Sequence, residues 1–387
     1  MNNKARVIAF YLPQYHPIHE NDQWWGKGFT EWTNVGKAKP VFKGHYQPKV
    51  PADLGYYDLR MPEIREAQAE LAQEAGIEGF CYWHYWFGNG KQLLEKPFDD
   101  VLELGKPDYP FCLGWANHSW TNKDWHIGNK FAKEGCLIEQ IYPGKVDQEQ
   151  HFYYVLKAFQ DKRYILVDGK PLFLIYSPVS IPEVNKFIKF WNELAVYNGL
   201  KGIHFVGITH NLSSLNGNSS IVKGILTKLD YNNSAEYYNK ILDLGFDAVN
   251  SRGQNRAEIL VKGRLNKLFL NFINAKLDGV IVDKYNYKKI IKYLFVDEDS
   301  WENVYPTIIP NWDRSPRSGK KALIWHNCTP ELFRESIRSA IDLVKNKKEE
   351  HRILFLQSWN EWGEGNYVEP DLKFGKAYLN VLKDMLK

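Results

Sequence analysis

The sequence has little cysteine, and its few cysteines do not form a recognisable metal or disulfide pattern. The 387 residues include four cysteines, which are widely spaced and form no Cys-x-x-Cys pair. Cys81 and Cys112 lie in apolar, strand-like runs, where a free cysteine behaves as a small hydrophobic residue. His16, His204 and His210 show no spacing that defines a metal site. We therefore expect neither a bound metal nor a disulfide framework.

Long apolar runs, a strong net charge and glycine-rich phosphate loops are also missing. No segment is long enough to span a bilayer, and the apolar run Val7–Leu12 is too short for a signal peptide, so we expect a cytoplasmic protein. The formal net charge of +4 does not suggest a nucleic-acid binder. No phosphate-binding or dinucleotide-binding glycine motif is present, so the sequence predicts no cofactor and weighs against nucleotide-sugar chemistry.

Aromatic residues are unusually abundant. They make up 15% of the chain and include 14 tryptophans and 23 tyrosines. Part of this excess must fill a core. The rest suits carbohydrate binding, because flat aromatic faces stack on the apolar C–H faces of sugar rings.

Eight short apolar runs alternate with helix-like segments along the chain. Because no dinucleotide fingerprint follows the first run, the alternation predicts a (β/α)8 barrel rather than a doubly wound sheet. We expect one domain over residues 1–387. The runs are Val7–Tyr11, Gly79–Phe87, Phe111–Asn117, Pro171–Tyr176, Ile203–Ile208, Phe246–Asn250, Pro306–Pro310 and Ile353–Leu356.

Two segments depart from the repeating pattern. A long loop, rich in aromatic residues, follows the first run up to about Met61, and such loops in compact domains are usually functional. A basic insertion lies at about residues 252–295, with apolar positions such as Leu265, Leu268 and Phe272. Its segment 256–292 could be a solvated outer layer of the barrel. The alternative is contact with an anionic membrane at its inner face or with a lipid-linked glycan.

The strongest candidate for a reaction site follows the last apolar run, in the stretch Ser358–Pro370. Glu361 and Glu364 lie three residues apart on a glycine-containing loop beside tryptophans. Burial beside an indole and a neighbouring carboxylate both raise the pKa of a carboxyl group. A pair with unequal pKa values suits acid–base cleavage or formation of a glycosidic bond. The alternative is a pair of solvated loop carboxylates.

Polar and aromatic residues gather at the predicted strand ends, where barrel enzymes have their active sites. His84 could instead be a core histidine, Asn117 could only stabilise a turn, and the fork of Asp313, Arg314 and Arg317 could be a loop salt bridge. Glu31 and Glu369 are expected to be structural or to bind hydroxyl groups. The candidate substrate-binding residues are Tyr11, Trp32, His84, Tyr85, Trp86, Trp115, Asn117, Tyr176, Asp313, Arg317, Trp359, Asn360 and Trp362.

The motif Asn360-Glu361-Trp362-x-Glu364-Gly365, followed by Glu369-Pro370, resembles the signature of glycoside hydrolase family 99, the endo-α-mannosidase-like enzymes. From Val7 onward, nearly the whole chain resembles the WbsX glycosyltransferase family, whose members carry a family 99-like domain and usually belong to surface-polysaccharide gene sets. The resemblance implies a retaining enzyme acting on α-mannosides. It makes Glu361 the base for the substrate's own 2-hydroxyl group and Glu364 the acid, so Glu364 should have the raised pKa.

Two positions depart from the family pattern. His118 stands where relatives usually carry glutamate, and Gly363 stands where the hydrolases tend to place histidine. Three hypotheses follow, each with an oligosaccharide or polysaccharide as partner. The first is a retaining glycosidase or transglycosylase acting on an α-linked sugar. The second is a glycosyltransferase that uses an activated donor, and the third is a catalytically silent carbohydrate-binding barrel.

Overall fold

The structure, a computed structural model, describes residues 4–121, 135–209, 233–263, 265–267 and 281–387. Within these residues, eight parallel strands form a closed barrel. Each run predicted from the sequence contributes one strand, so the predicted (β/α)8 barrel is confirmed. The barrel strands are β1 Arg6–Tyr11, β2 Gly79–His84, β3 Phe111–Trp115, β4 Lys170–Ile175, β5 His204–Ile208, β6 Ala248–Ser251, β7 Val304–Ile308 and β8 Ile353–Leu356.

Each barrel strand pairs in parallel with the strands before and after it in sequence. Closure comes from β8, in which Leu354 lies opposite Val7 of β1. Strands β3 and β4 also pair in parallel although a long helical connection separates them in sequence, and Leu113 of β3 lies opposite Phe173 of β4. Strands of such a barrel are covered on both faces, which explains why they read as continuous apolar runs rather than alternating ones.

The helices cover the outside of the barrel or lie in its loops. The N-cap Thr329 accepts a hydrogen bond from the Leu332 N–H at 3.4 Å, and the helix that follows buries a stripe of apolar residues spaced three and four apart. Among the described residues, the α-helices are α1 His19–Trp25, α2 Glu31–Lys37, α3 Pro62–Glu74, α4 Lys96–Leu104, α5 Lys145–Phe159, α6 Val184–Tyr197, α7 Ser234–Asp243, α8 Gln254–Lys262, α9 Tyr287–Ile290, α10 Ser315–Ser318, α11 Pro330–Val344 and α12 Ala377–Leu386.

The long loop after β1 is ordered by packing against the loop after β8. The Tyr15 hydroxyl donates to the carbonyl oxygen of Asn360 and accepts from the N–H of Trp362 at 3.1 Å. Helix α2 then brings the fully buried side chain of Glu31 to the same end of the barrel. This loop therefore supplies a side chain to the candidate site.

The described part of the basic segment turns several of its cations inward. The buried Arg256 donates to the Leu294 carbonyl oxygen at 2.8 Å, and Lys267 pairs with Glu258 at 3.0 Å. Leu268 and Phe272 lie outside the described residues. Among the residues that are described, no helix has both the length and the apolar character needed to cross a membrane. Membrane contact by this segment, and the one-domain organisation, stay predictions.

Candidate active site

The loop after β8 carries both candidate glutamates and is anchored to the end of β1. The N–H of Trp359 donates to the carbonyl oxygen of Phe10 at 2.8 Å. The Asn360 side chain accepts from the N–H of Leu12 at 2.8 Å and donates to the Leu12 carbonyl oxygen at 3.1 Å. These bonds hold the loop at the carboxyl ends of the strands, the end at which barrel enzymes bind their substrates.

A tight turn joins this loop to the segment that follows β7. The short 3-10 turn Trp362–Glu364 ends at Gly365, which has a φ of +61°. A Cβ at position 365 would lie 2.7 Å from the backbone oxygen of Asp313, so the close approach requires glycine. The N–H of Asp313 donates to the carbonyl oxygen of Glu364 at 2.8 Å. The two segments therefore position each other.

Arg317 lies at the centre of a buried charge cluster. Its Nη1 donates to Oε1 of Glu364 at 2.5 Å and lies 3.6 Å from Oε1 of Glu361. Its Nε donates to Oε2 of Glu31 at 2.9 Å, and Asn34 donates to the other oxygen of Glu31 at 2.9 Å. One guanidinium group therefore holds the two candidate carboxylates on the same side of the loop.

The two candidate carboxyl groups differ in protonation, in the opposite sense to the sequence-based prediction. Burial, and then the charge of Glu364, raise the pKa of Glu361 to about 8. Burial by itself would also raise the pKa of Glu364, but the charges of Arg314, Arg317 and Arg252 outweigh it and lower that pKa below its usual value. The prediction of a protonated Glu364 beside an ionised Glu361 is wrong, because the arginines gather around Glu364.

Both carboxylates line a cavity of about 590 Å³, here called the candidate active-site cavity. This volume is typical of a small-molecule site. Its aromatic lining comes from Trp83, Tyr85, Trp120, Tyr176 and Trp312, and its cationic lining from Arg252, Arg314 and Arg317. Aromatic faces beside charged groups suit a sugar ring that carries hydroxyl or anionic substituents.

Five of the candidate catalytic and substrate-binding residues line this cavity. They are Tyr85, Tyr176, Arg317, Glu361 and Glu364. The other substrate-binding candidates lie elsewhere, for reasons given by the strand geometry and by the packing of the loops.

The alternation of side chains along β2 separates its candidates. Trp83 and Tyr85 point into the cavity, whereas His84 and Trp86 pack against α5 on the outside. The Nε2 atom of His84 lies 2.8 Å from that of His151, and the Trp86 ring stacks on the same imidazole with centroids 4.7 Å apart. His84 and Trp86 therefore join strand to helix and do not reach the cavity.

Tyr11 and Trp115 also point away from the cavity, because the neighbouring residues Leu12 and Ala116 take the inward positions. The Tyr11 hydroxyl donates to Oε1 of Gln68 at 2.6 Å. The Trp115 indole N–H donates to the Trp86 carbonyl oxygen at 3.0 Å. Both residues are part of the barrel's outer packing layer.

Asn117 joins the loops after β3 and β4. Its Nδ2 donates to the Ser177 carbonyl oxygen at 2.9 Å, and its Oδ1 accepts from the Ser177 N–H at 2.7 Å. Because both ends of the amide are used in this way, Asn117 fits the alternative role of a loop-stabilising residue. It does not line the candidate active-site cavity.

Trp32, Trp359, Asn360 and Trp362 form the support beneath the cavity. The Trp362 indole N–H donates to Oε2 of Glu369 at 2.6 Å, and its ring lies against Trp32 with centroids 5.7 Å apart. Burial raises the pKa of Glu369 to about 7, against the opposing effect of the hydrogen bonds that it accepts. These residues support the loop that carries Glu361 and Glu364. This agrees with the structural role expected for Glu369.

Asp313 faces away from the cavity, although it belongs to the same segment as Arg317. Its Oδ2 accepts from Nε2 of His45 at 2.8 Å and from Nε2 of Gln47 at 2.7 Å. Burial would raise its pKa, but the bond from His45 and the charge of Lys49 lower it to about 2. Asp313 is therefore an ionised structural carboxylate.

Sequence reasoning missed Arg252, Trp120 and Glu258, all of which line the cavity. Arg252 directly follows β6, so the rule that strand ends carry the site could have identified it. Trp120 belongs to a short antiparallel pair formed with Cys136–Ile138, and Glu258 is on the inner side of α8. Neither position follows from the spacing of residues in the sequence.

The sequence also contains an Asp-x-Asp triplet, a common metal–nucleotide motif of sugar-nucleotide transferases, at Asp297-Glu298-Asp299. The buried Asp299 accepts from the Val296 N–H at 3.0 Å and from the Ser251 hydroxyl at 2.6 Å. These bonds cap a short 3-10 turn that does not line the candidate active-site cavity. The triplet has a structural role here.

Comparisons with known proteins agree with this architecture. A family model described as Glycosyltransferase WbsX matches residues 7–382. The protein WxcX of Xanthomonas campestris pv. campestris, from two strains, is 33% identical over 386 residues. The match covers 99% of this chain and 50% of WxcX, so the chain spans about half the length of the curated relatives it matches.

Solved structures with the same fold are also found. A GH99 endo-α-mannosidase from Bacteroides thetaiotaomicron superposes with a TM-score of 0.55 and 15% identity, covering 100% of this chain and 97% of that one. A protein described as glycoside hydrolase-like gives a TM-score of 0.55 and 15% identity, with 99% and 94% coverage. At this level of identity the likeness shows a shared (β/α)8 fold.

Proposed function

Because the chain belongs to the Glycosyltransferase WbsX family, a family of carbohydrate-active enzymes, we propose that it cleaves or transfers α-linked sugar units of a surface polysaccharide with retention of configuration. Glu361 and Glu364 are the reacting pair. The observation that carries the proposal is that their carboxylates meet on one nitrogen of Arg317, at a cavity lined by aromatic residues.

The spacing of the pair supports retention. Oε1 of Glu361 lies 3.6 Å from Nη1 of Arg317, and Oε1 of Glu364 lies 2.5 Å from the same atom. The two oxygens cannot be farther apart than these two distances together. This limit applies to one oxygen of each group, and it is compatible with the roughly 5–5.5 Å separation of the carboxyl groups in retaining glycosidases.

The opposite directions of the two pKa shifts support an assignment of roles. With a pKa of about 8, Glu361 is protonated at neutral pH and donates its proton to the glycosidic oxygen as the bond to the anomeric carbon breaks. The arginine-bound Glu364, with its lowered pKa, is a poor proton acceptor but a stable carboxylate. It attacks the anomeric carbon and forms a glycosyl ester. An incoming hydroxyl group then gives its proton to Glu361 and displaces Glu364.

This assignment exchanges the roles implied by the family resemblance. A carboxylate whose pKa is lowered by arginines leaves readily in the second step, so the cluster suits a covalent intermediate better than deprotonation of the substrate's 2-hydroxyl group. The acceptor in that step is water for hydrolysis or a sugar hydroxyl for transfer.

A second candidate is glycosyl transfer from an activated donor. The observation that favours it is the group of three arginines lining the cavity, Arg252, Arg314 and Arg317. Guanidinium groups match the oxygens of a phosphate or diphosphate leaving group. In this reading the leaving group needs no proton, and Glu361 acts only on the acceptor.

The test is an activity assay on the purified protein with α-mannooligosaccharides and, separately, with sugar nucleotides. The matched variants are Glu361→Gln, Glu364→Gln and, as a control, Glu193→Gln on the exposed surface of α6. Release of reducing ends that falls about 10²–10⁴-fold in the first two variants and persists in the control supports the proposal.

The other outcomes separate the alternatives. Turnover only with a sugar nucleotide would favour the activated-donor reaction. Binding of oligosaccharide by the wild type with no turnover of either substrate class would leave the catalytically silent barrel as the remaining hypothesis.

A further inference from the structure

A second cavity, of about 350 Å³, lies on the opposite side of the segment that follows β7. Side chains of this segment alternate between the two cavities. Trp312 and Arg314 line the candidate active-site cavity, whereas Asn311 and Asp313 line the second one. The second cavity is therefore separate from the site described above, and the two share only a wall.

Aromatic rings with lysines above them make up much of this cavity. The Lys284 ammonium group lies 4.9 Å from the centroid of the Phe42 ring, and the Lys373 ammonium group lies 4.7 Å from that of Tyr46. Cations placed over ring faces in this way stay accessible to a ligand while the rings offer flat apolar surface. The combination suits a molecule with one anionic end and one ring face.

The charges of the lining are unbalanced. The lining includes four lysines, at positions 43, 49, 284 and 373, against Asp313 and Asp371. Asp371 accepts hydrogen bonds from the Tyr367 hydroxyl and from backbone N–H groups, all of which are neutral. Among the described residues, the ion pairs do not involve the lysines at 43, 284 and 373. The cavity therefore carries excess positive charge.

Lys49 is the residue that points most directly to an anionic ligand. The residue is only 8% exposed, so its ammonium group has been removed from most of the solvent. Its polar contacts among the described residues are a 3.4 Å hydrogen bond to the Gly365 carbonyl oxygen and a 4.0 Å ion pair with Asp313, and it lies 5.3 Å from the centroid of the Tyr367 ring. A buried ammonium group has three donors, and desolvating it without close partners is costly. An anion in the cavity would supply those partners.

We propose that the second cavity binds a sugar that carries a phosphate or carboxylate group, with the anion on Lys49 and Lys373 and the sugar ring against the aromatic wall. The volume accommodates about one or two sugar units, at the lower end of the range for small-molecule sites. The proposal does not depend on the reaction assigned to Glu361 and Glu364.

The second cavity is also connected to the loop that carries Glu364. Lys49 donates to the carbonyl oxygen of Gly365, and the N–H of Asp313 donates to the carbonyl oxygen of Glu364. A ligand that draws Lys49 toward an anion would alter the hydrogen bond at Gly365, next to the candidate catalytic residue. Occupation of the second cavity is therefore expected to change turnover at the first.

The test measures binding of glucose 1-phosphate to the full chain by isothermal titration calorimetry, with glucose and inorganic phosphate as separate probes. Each is measured on the wild type and on a Glu361→Gln, Glu364→Gln double variant, which keeps the second cavity while removing the candidate catalytic pair. The cavity variants are Lys49→Met and Lys373→Met. The control is Lys145→Met, because the Lys145 ammonium group lies 4.5 Å from the Phe190 ring centroid, away from the cavity.

We expect glucose 1-phosphate to bind equally to the wild type and the double variant. It should bind about tenfold or more weakly to Lys49→Met, since that variant loses a charge-assisted hydrogen bond to the anion. The exposed Lys373 tests the idea even if Lys49→Met fails to fold, and its removal should weaken binding severalfold. Absence of binding, or equal binding by the lysine variants and the wild type, would overturn the proposal. Inorganic phosphate binding as tightly as the sugar phosphate would overturn its carbohydrate part.

Discussion

The carboxylate of Glu31 occupies the space beside the backbone of Gly363 that a side chain at position 363 would fill. A Cβ built on Gly363 would collide with both the carboxyl carbon and the oxygens of Glu31. Glu31 in turn accepts a hydrogen bond from Nε of Arg317, and the same guanidinium group contacts Glu361 and Glu364. The glycine that departs from the family pattern therefore makes room for a third carboxylate in the arginine cluster.

Gly363→Ala is expected to displace Glu31 and with it Arg317. The free energy of unfolding should fall by roughly 1–3 kcal/mol, the usual cost of overpacking a filled site, and activity should fall with it. The matched control is Gly36→Ala in α2, where nothing lies within 4 Å of the added Cβ. Urea denaturation measures the unfolding free energy of the two variants. Equal unfolding midpoints for the two variants would contradict the proposed close packing.

Arg317→Met should be among the most destabilising single substitutions in the chain. It leaves the buried Glu31 without its cation, and breaking a buried ion pair by removing one partner costs roughly 3–5 kcal/mol. The control is Arg334→Met, which removes an exposed pair with Asp384 at 2.8 Å and should cost less than about 1 kcal/mol. Similar losses of stability in the two variants would show that the cluster does not support the fold.

Activity should fall as the pH rises through about 8. The acid form of Glu361 is the reacting form, and it is lost above its raised pKa of about 8. The Glu361→Gln variant, assayed on an aryl α-glycoside whose leaving group needs no proton, should retain part of its activity without this basic limb. A wild-type profile that stays flat from pH 6 to 9 would rule out Glu361 as the proton donor.

Azide can distinguish the roles of the two glutamates. In Glu364→Ala, azide should take the place of the missing carboxylate and give a glycosyl azide of inverted configuration from an aryl α-glycoside. In Glu361→Ala, azide should attack the covalent intermediate and give a product of retained configuration. NMR of the product reads the configuration. The opposite pattern would restore the roles implied by the family resemblance.

The stability of the fold should decline from pH 5 to pH 8, in part through Glu369. Its pKa of about 7 in the folded state lies above the value of 4.5 for a free glutamate, so the folded state binds its proton more tightly. That contribution is fully present below pH 4.5 and is lost as the pH rises through about 7. It should amount to roughly 3 kcal/mol.

The Glu369→Gln variant tests this contribution. Its unfolding free energy should depend less on pH than that of the wild type over the same interval, whereas Glu193→Gln should keep the wild-type slope. Parallel slopes for Glu369→Gln and the wild type would show that the buried carboxyl group does not titrate as proposed.

The barrel could be predicted from the sequence because each strand is a short apolar run, as in Ile353–Leu356, and such runs have few alternatives. The site was predictable where a residue directly follows a strand on the inward side, as Tyr176 does. It was not predictable for His84 and Trp115, since a strand end identified from composition does not say which side chains point inward. A shift of one residue along the strand decides which side chains face the cavity. Because the ends of β2 and β3 are uniformly apolar or aromatic, the sequence pattern does not reveal that shift.

The charge states of the glutamate pair could not be predicted for a different reason. Local chemistry around Glu361 and Glu364 treats them almost alike. Their difference comes from Arg314 and Arg317 on another loop and from Arg252 after β6, which are distant in sequence. Electrostatic asymmetry of this kind depends on the tertiary arrangement, not on a motif.

The stretch Asn311–Arg314 is a partition that presents odd-numbered residues to one chamber and even-numbered residues to the other. Such a partition tolerates exchange of its side chains but not a change in its length. Deleting or inserting a single residue would exchange the two faces of this stretch. The Asp313 carboxylate would then face the candidate active-site cavity, and the Trp312 indole would face the lysines of the second cavity. Redesign of substrate preference in this protein should therefore proceed by substitution here, and loop grafts should keep the count of residues between β7 and Arg317 unchanged.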